Sequence, residues 1–213
     1  MRVCTSLDVA VIVFSRAPVP GRVKTRLVPR LGAWRAARLH ARLTAHALAT
    51  AQAAGCGPVA LYPDARQRGA DLGERMYRAL KHTLRQHRAA IVIGSDCPAL
   101  RPADLRRAAR LLAGGCDVVL GPAEDGGYVL LGARRLSVRL FAGIDWGTPS
   151  VYAATVARLR ELGYRWRALR TLWDLDRPQD LERLRLLRFP SDARRRARRS
   201  GGSRLRSGGW GRT

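Results

Sequence analysis

Cysteine and lysine are scarce in this chain, and no apolar run is long. Four cysteines (Cys4, Cys56, Cys97, Cys116) are spread over 213 residues with no C-x-x-C pair. That spacing argues against a zinc site or a disulfide framework and suits a reducing cytosol. No stretch approaches the roughly 20 apolar residues that a membrane helix needs. The apolar run 9–14 is short and Arg16 follows it closely, so neither a membrane span nor a secretory leader is expected. G-x-S-x-G and H-E-x-x-H are missing, and no Ser or Cys has a recognisable base partner. The four histidines (His40, His46, His82, His87) fall on predicted helices and are expected at the surface.

What is abundant is arginine. The formal net charge is +24, and only Lys24 and Lys81 are lysines. Such charge suggests a polyanionic partner, but an Arg-only skew alongside abundant Ala, Gly and Leu also matches the codon usage of a GC-rich genome. Part of the charge lies in residues 191–213, which hold eight Arg against one Asp. That Arg-Gly-Ser segment has no hydrophobic pattern and is expected to be a disordered tail behind a single domain over residues 1–190. The body remains basic, which suits a phosphate-bearing substrate.

Residues 8–14 (Asp-Val-Ala-Val-Ile-Val-Phe) form a continuous apolar run, as in a central parallel strand. Residues 34–54 have helical periodicity, with Leu39, Leu43, Ala47 and Ala51 on one stripe, and Gly55 ends them. Further strands are expected at 59–62, 89–94, 117–121, 128–131 and 164–169. Helices are expected at 72–87, 102–113, 179–188 and from 149 to 162, the last with Thr148 as N-cap and Pro149 at the first position. Alternating strands and helices imply an α/β fold, a mostly parallel sheet covered on both faces. The broken alternation around 124–131 makes the sheet mixed.

Five stretches could carry chemistry. Residues 15–27 (Ser-Arg-Ala-Pro-Val-Pro-Gly-Arg-Val-Lys-Thr-Arg-Leu) follow the first strand, where a phosphate loop would lie. Arg22, Lys24 and Arg26 with Gly21 and Thr25 can cradle phosphate oxygens, although the stretch is neither a Walker A loop nor G-x-G-x-x-G. Residues 67–75 place two glycines at a helix start and offer backbone N–H groups to an anion; an ordinary capped helix explains them as well. In residues 91–98 (Ile-Val-Ile-Gly-Ser-Asp-Cys-Pro), Asp96 stands just past a buried strand, at the edge where α/β sheets bind ligands. Residues 121–128 (Gly-Pro-Ala-Glu-Asp-Gly-Gly-Tyr) read as a substrate-approach loop or as a Gly-Gly turn with solvated acids. In residues 173–176 (Trp-Asp-Leu-Asp), alternation puts two carboxylates on one side of an extended segment. Such a pair can bind a hard divalent cation, or Asp176 can cap the last helix.

Taken together, these stretches, with Gly32 and residues 146–148, resemble the bacterial DUF2064 family, also described as selenodomain-associated transferase 1. The resemblance covers residues 8–188 and implies a single three-layer, Rossmann-like domain of the GT-A, nucleotide-diphospho-sugar transferase-like fold. It implies a nucleotide held by Arg16, Ala17, Gly21, Lys24, Thr25 and Arg26 from the first loop and by Gln67, Gly69, Leu72 and Gly73 from the second. Mg²⁺ or Mn²⁺ would sit at Asp96 and Asp176. A small acceptor would meet Asp125, Gly126, Gly127, Tyr128 and Trp146, and Lys24, Asp96 and Asp125 would be catalytic. Glycosyltransferases of this fold often carry Asp-x-Asp at the metal. Here Gly94-Ser95-Asp96 holds one Asp, which suits a nucleotidyltransferase joining an NTP to a phosphorylated acceptor as well as it suits sugar transfer. A third reading, nucleic-acid binding through the tail, ranks behind both because the organised motifs lie in the body.

Overall fold

The structure is a computed structural model that describes residues 8–187; Cys4, the domain limit at 190 and the tail 191–213 lie outside the described residues. Six strands form one sheet: β1 (Val9–Ser15), β2 (Val59–Pro63), β3 (Ala89–Gly94), β4 (Val118–Pro122), β5 (Tyr128–Ala133) and β6 (Trp166–Ala168), in the order β2-β1-β3-β5-β4-β6. β1 pairs parallel with β2 and β3, and β4 with β6, whereas β5 runs antiparallel between β3 and β4. The sheet is therefore mixed, and the break expected around 124–131 is the tight β4–β5 hairpin, in which Ala123 N–H bonds the Gly127 carbonyl at 3.0 Å.

Helices cover both faces: α1 (Val28–Leu31), α2 (Ala33–Ala54), α3 (Leu72–Thr83), α4 (Pro102–Ala113), α5 (Val151–Glu161) and α6 (Asp180–Leu186). β1 is buried along its whole length, and its alternating side chains feed two cores. Val9, Val11 and Val13 pack with Ile91 and Ile93 against α2 and α4. Ile12 and Phe14 pack with Val92 against Met76 and Leu80 of α3 and Leu159 of α5. That double burial is why the strand is apolar throughout rather than alternating. Among the described residues, no helix is long and apolar enough to cross a membrane.

Two helix ends differ from the sequence expectation. α3 stops at Thr83, where its last turn tightens and Leu84 N–H bonds the His82 and Leu80 carbonyls. α5 begins at Val151, not behind a Thr148 cap. The Thr148 hydroxyl bonds the Asp145 carbonyl at 2.7 Å and lies 2.7 Å from Ser150 Oγ, closing a turn instead. The first turn of α5 is tied to the β4–β5 hairpin, with Tyr152 N–H on the Gly126 carbonyl at 2.9 Å.

That junction explains Gly126. Its φ is +89°, and a Cβ there would stand 2.1 Å from the Pro149 carbonyl oxygen. Gly126→Ala is expected to cost about 2–5 kcal/mol, combining left-handed strain with overpacking. Urea unfolding measures it, and a loss under about 1 kcal/mol would show that the hairpin can shift freely.

Candidate functional site

The carboxyl ends of β1 and β3 open into a cavity of about 560 Å³. Five of its lining residues are cations (Arg16, Arg22, Lys24, Arg26, Arg75) and two are acids, Asp96 and Asp176. The loop after β1 supplies four of the cations because Gly21, at φ +76°, and Lys24, at φ 49°, turn the chain back over the sheet edge. A left-handed backbone is unusual for lysine and is held only where the surroundings over-determine it. Here the Lys24 side chain is 3% exposed; its ammonium donates to the Leu175 carbonyl and lies 3.0 Å from Asp96 Oδ1. One of its three N–H donors is left for a ligand.

Asp96 lies at the floor of this concavity, with 43% of its side-chain surface open to water and protein closing in around the rest. Burial would raise its carboxyl, but the neighbouring His40 and Lys24 outweigh that and hold it below the ordinary carboxylate range. His40 is 4% exposed, a correction to the expectation that the histidines sit at the surface. Its stripe of α2 faces β1 rather than solvent. Nε2 lies 3.1 Å from the Arg16 carbonyl and 3.2 Å from Ser15 Oγ, and Nδ1 lies 3.5 Å from Asp96. A carbonyl only accepts, so Nε2 carries a proton. His40 thereby holds the end of β1, and its Nδ1 faces the acid after β3 without a hydrogen bond to it.

The other nucleotide-site residues divide. Arg16, Lys24, Thr25, Arg26, Gln67 and Leu72 line the cavity; Ala17, Gly21, Gly69 and Gly73 are not among the lining residues. Gln67 Nε2 donates to the Ser15 and Tyr62 carbonyls at 3.0 and 2.9 Å, so its side-chain carbonyl oxygen remains for a ligand. Asp71 caps α3, accepting from Glu74 N–H at 2.7 Å, while Glu74 accepts from Ala70 N–H at 2.8 Å. A Cβ on Gly69 would meet Arg75 N at 2.8 Å, and one on Gly73 would meet the Trp146 ring at 2.2 Å. Both glycines are accounted for by packing.

A second, smaller cavity of about 230 Å³ adjoins the first, and Phe14, Leu72 and Gly94 line both. Its wall is mostly apolar: Met76, Val92, Val129 and Leu131 with the rings of Tyr128 and Trp146. Of the residues the resemblance assigns to an acceptor, Asp125, Gly127, Tyr128 and Trp146 line this cavity; Gly126 lies behind, against Pro149. Asp125 Oδ1 accepts from Gly127 N–H at 2.9 Å, which holds the hairpin tip. Tyr128 Oη and Trp146 Nε1 are buried without a hydrogen-bond partner. Asp174 also lines this cavity, and burial, then the charges of Asp125 and Asp176, push its carboxyl up to about 6.

The residue 173–176 segment is not a cap. Asp180, the first residue of α6, reaches back to accept from Asp176 N–H at 3.0 Å and Arg177 N–H at 2.6 Å, while the Asp176 carboxylate pairs with Arg26. Leu175 N–H bonds the Asp96 carbonyl at 2.8 Å, which brings this segment to the end of β3. Cys97, beside Asp96, is no nucleophile, because burial pushes its thiol up to about 12.

A family of uncharacterized proteins conserved in bacteria (DUF2064) matches residues 32–148. The chain belongs to the DUF2064 family. Its fold is shared by a crystal structure from Desulfovibrio desulfuricans G20, provisionally described as a nucleotide-diphospho-sugar transferase. That protein is 29% identical at a TM-score of 0.71, over 80% of this chain and 83% of that one. A CMP:2-keto-3-deoxy-manno-octonic acid synthetase complexed with CTP is 13% identical at a TM-score of 0.54, over 84% and 97% of the two chains. A nucleotidyl transferase from Methanothermobacter thermautotrophicus is 15% identical at 0.53, over 83% and 95%. No curated protein matches this DUF2064 chain significantly.

Whether this DUF2064 site suits a divalent cation turns on its donors. Asp96 and Asp176 line one cavity; after burial, the charges of Asp125 and Asp176 raise the nearby Asp174, and a cation relieves that repulsion. Among the described residues, no three His, Cys, Asp or Glu are gathered in a ready-made cage. Mg²⁺ is usually bound by one or two carboxylates plus substrate phosphates, so the donor chemistry fits. In the arrangement described, Asp96 and Asp176 are each paired with a protein cation, Lys24 and Arg26. His40 is the site residue that sequence reasoning missed, and Asp174 entered it only as half of a carboxylate pair. A buried helix stripe containing a histidine signalled the first, and the paired acids at 174 and 176 signalled the second.

Proposed function

We propose that the chain is an enzyme, a transferase that takes a nucleotide-activated donor, holds its phosphates in the basic cavity and passes the transferred group to an acceptor in the smaller one. The observation that carries this reading is that five cations line the cavity that holds Asp96, at the carboxyl ends of β1 and β3. Helix-covered sheets of this kind bind ligands at that edge, and charge of that sign and density suits a di- or triphosphate.

Within that class we read sugar transfer from a nucleotide-diphospho-sugar. The acceptor cavity is lined by the acids Asp125 and Asp174 and by no cation. Carboxylates repel a phosphorylated acceptor and accept hydrogen bonds from a hydroxyl. The acceptor oxygen attacks the donor's sugar carbon, the carbon–oxygen bond to the phosphate breaks, and the nucleoside diphosphate leaves with that electron pair. Lys24, Arg22 and Arg26 stabilise the charge that collects on the leaving phosphates. Asp125 orients the hydroxyl and accepts its proton. Mg²⁺ or Mn²⁺ held by Asp96 and Asp176 would supply further positive charge to the phosphates. The single acid of residues 94–96 favours a second reading, nucleotidyl transfer with release of pyrophosphate.

Thermal-shift screening against NTPs and nucleotide-sugars with Mn²⁺ tests the donor. A ligand at about a hundred times its dissociation constant adds roughly 2.7 kcal/mol, which for a domain of this size raises Tm by about 5–10 °C. No shift with any nucleotide at millimolar concentration would overturn the proposal. Nucleoside diphosphate as product supports sugar transfer, and pyrophosphate supports the second reading.

A further inference from the structure

Gly94 is the last residue of β3, and nothing in the fold explains why it is glycine. Its backbone is not left-handed: Gly94 is absent from the positive-φ glycines, and a Cβ built on it meets no atom within 4 Å. Glycine at such a position weakens a strand relative to a residue with a side chain. Where packing and conformation do not call for one, a strand glycine marks a place where a ligand approaches the backbone closely. The space above Gly94 is where the basic and apolar cavities meet. Gly73 and Gly126 are the contrast, since packing accounts for both.

The apolar cavity has a definite character. Its volume of about 230 Å³ compares with the roughly 150 Å³ of an engineered cavity that holds benzene. It has room for one six-membered ring with a short substituent. Leu72, 44% exposed, forms an apolar rim shared with the basic cavity. Asp125 and Asp174 are the only charged residues in its lining, and both accept hydrogen bonds.

We propose that Gly94 is the passage between donor and acceptor, and that the acceptor is a neutral alcohol carrying one apolar ring, its hydroxyl turned to Asp125 and Asp174. This rests on the transferase reading for the words donor and acceptor, but the ligand class follows from the cavity alone. The carboxylates exclude an anionic acceptor, and the apolar wall leaves a small polyol without partners for most of its hydroxyls. Gly94 then sets specificity: a small side chain there narrows the passage, and its Cβ meets no atom of the fold within 4 Å.

Saturation-transfer NMR on the full chain tests both parts, with benzyl alcohol, glycerol and glycerol 3-phosphate as probes and a nucleoside diphosphate measured separately by calorimetry. Benzyl alcohol is expected to bind the wild type, and glycerol and glycerol 3-phosphate are not. In Gly94→Val, benzyl alcohol binding is expected to weaken at least tenfold, and in Gly94→Ala by less, with Tm no lower than wild type in either. Equal binding of glycerol 3-phosphate would overturn the ligand class. Unchanged benzyl alcohol binding in Gly94→Val, or a lowered Tm in both variants, would overturn the role of Gly94. If benzyl alcohol binds as expected and no nucleoside diphosphate binds the wild type, the cavity's ligand class stands and the donor reading falls.

Discussion

Asp96→Asn is expected to destabilise the protein by about 1–3 kcal/mol while leaving it folded, and to abolish Mn²⁺-dependent nucleotide binding. The substitution leaves the Lys24 ammonium, 3% exposed, with neutral oxygen acceptors only and no compensating charge. Removing one member of a fully buried pair costs roughly 3–5 kcal/mol. Asp96 is 43% open to water, so solvent screening brings the figure down. The companion variant Lys24→Met removes the other member. The double variant is expected to lose less than the two singles together, with a coupling of about 1–2 kcal/mol. The pH dependence has a definite sign. The folded Asp96 carboxyl lies below its ordinary 3.8, so its contribution is complete above that value and is lost as pH falls through the lowered one. Urea melts of the four proteins measure the cycle, and calorimetry with Mn²⁺ and nucleotide measures binding. Additive losses, or an unchanged Mn²⁺-dependent affinity in Asp96→Asn, would remove the pair from the centre of the site.

Asp174→Asn is expected to act in the opposite direction and to stabilise the protein at pH 8. The Asp174 carboxyl is pushed up to about 6, first by burial and then by the charges of Asp125 and Asp176. Between the ordinary value of 3.8 and about 6 the folded state holds a proton that the unfolded state has released. Stability therefore falls as pH rises through that window, and the loss is complete above it. A shift of this size corresponds to about 1–3 kcal/mol, which the amide returns. Wild type and Asp174→Asn should melt together at pH 4 and separate at pH 8, with chelator present in both. A variant no more stable than wild type at pH 8, or equally stabilised at both pH values, would refute the assignment. A carboxylate kept where it weakens the fold is the pattern of a functional group; Asp174→Asn is accordingly expected to lower turnover while raising Tm.

Much of this was legible in the chain itself. The buried run at β1, the apolar residues leading to Gly94, the basic loop with Lys24 and Arg26, and the lone Asp96 are local patterns. Periodicity and turn chemistry report such features directly. The mixed sheet was also legible, because the short stretch between β4 and β5 leaves no room for a crossover helix. The roles of individual side chains were not. Lys24 meets Leu175 and Arg26 meets Asp176 across about 150 residues of sequence, a separation over which local pattern carries no information. His40 read as a surface residue because helical periodicity identifies a stripe but not what the stripe packs against. Gly73 and Gly126 looked like ligand glycines because a sequence cannot reveal that Trp146 and Pro149 fill the space beside them. The chain alone determined the layered α/β fold, through short-range patterns of burial, and the family, through the resemblance of its separated motifs; it also pointed to the sheet edge proposed to carry the site. Only the tertiary structure decided that Asp174 is the strained acid, that His40 is buried against Asp96, and that Gly94 stands open between two cavities. Burial, repulsion and empty space arise only when distant segments are brought together.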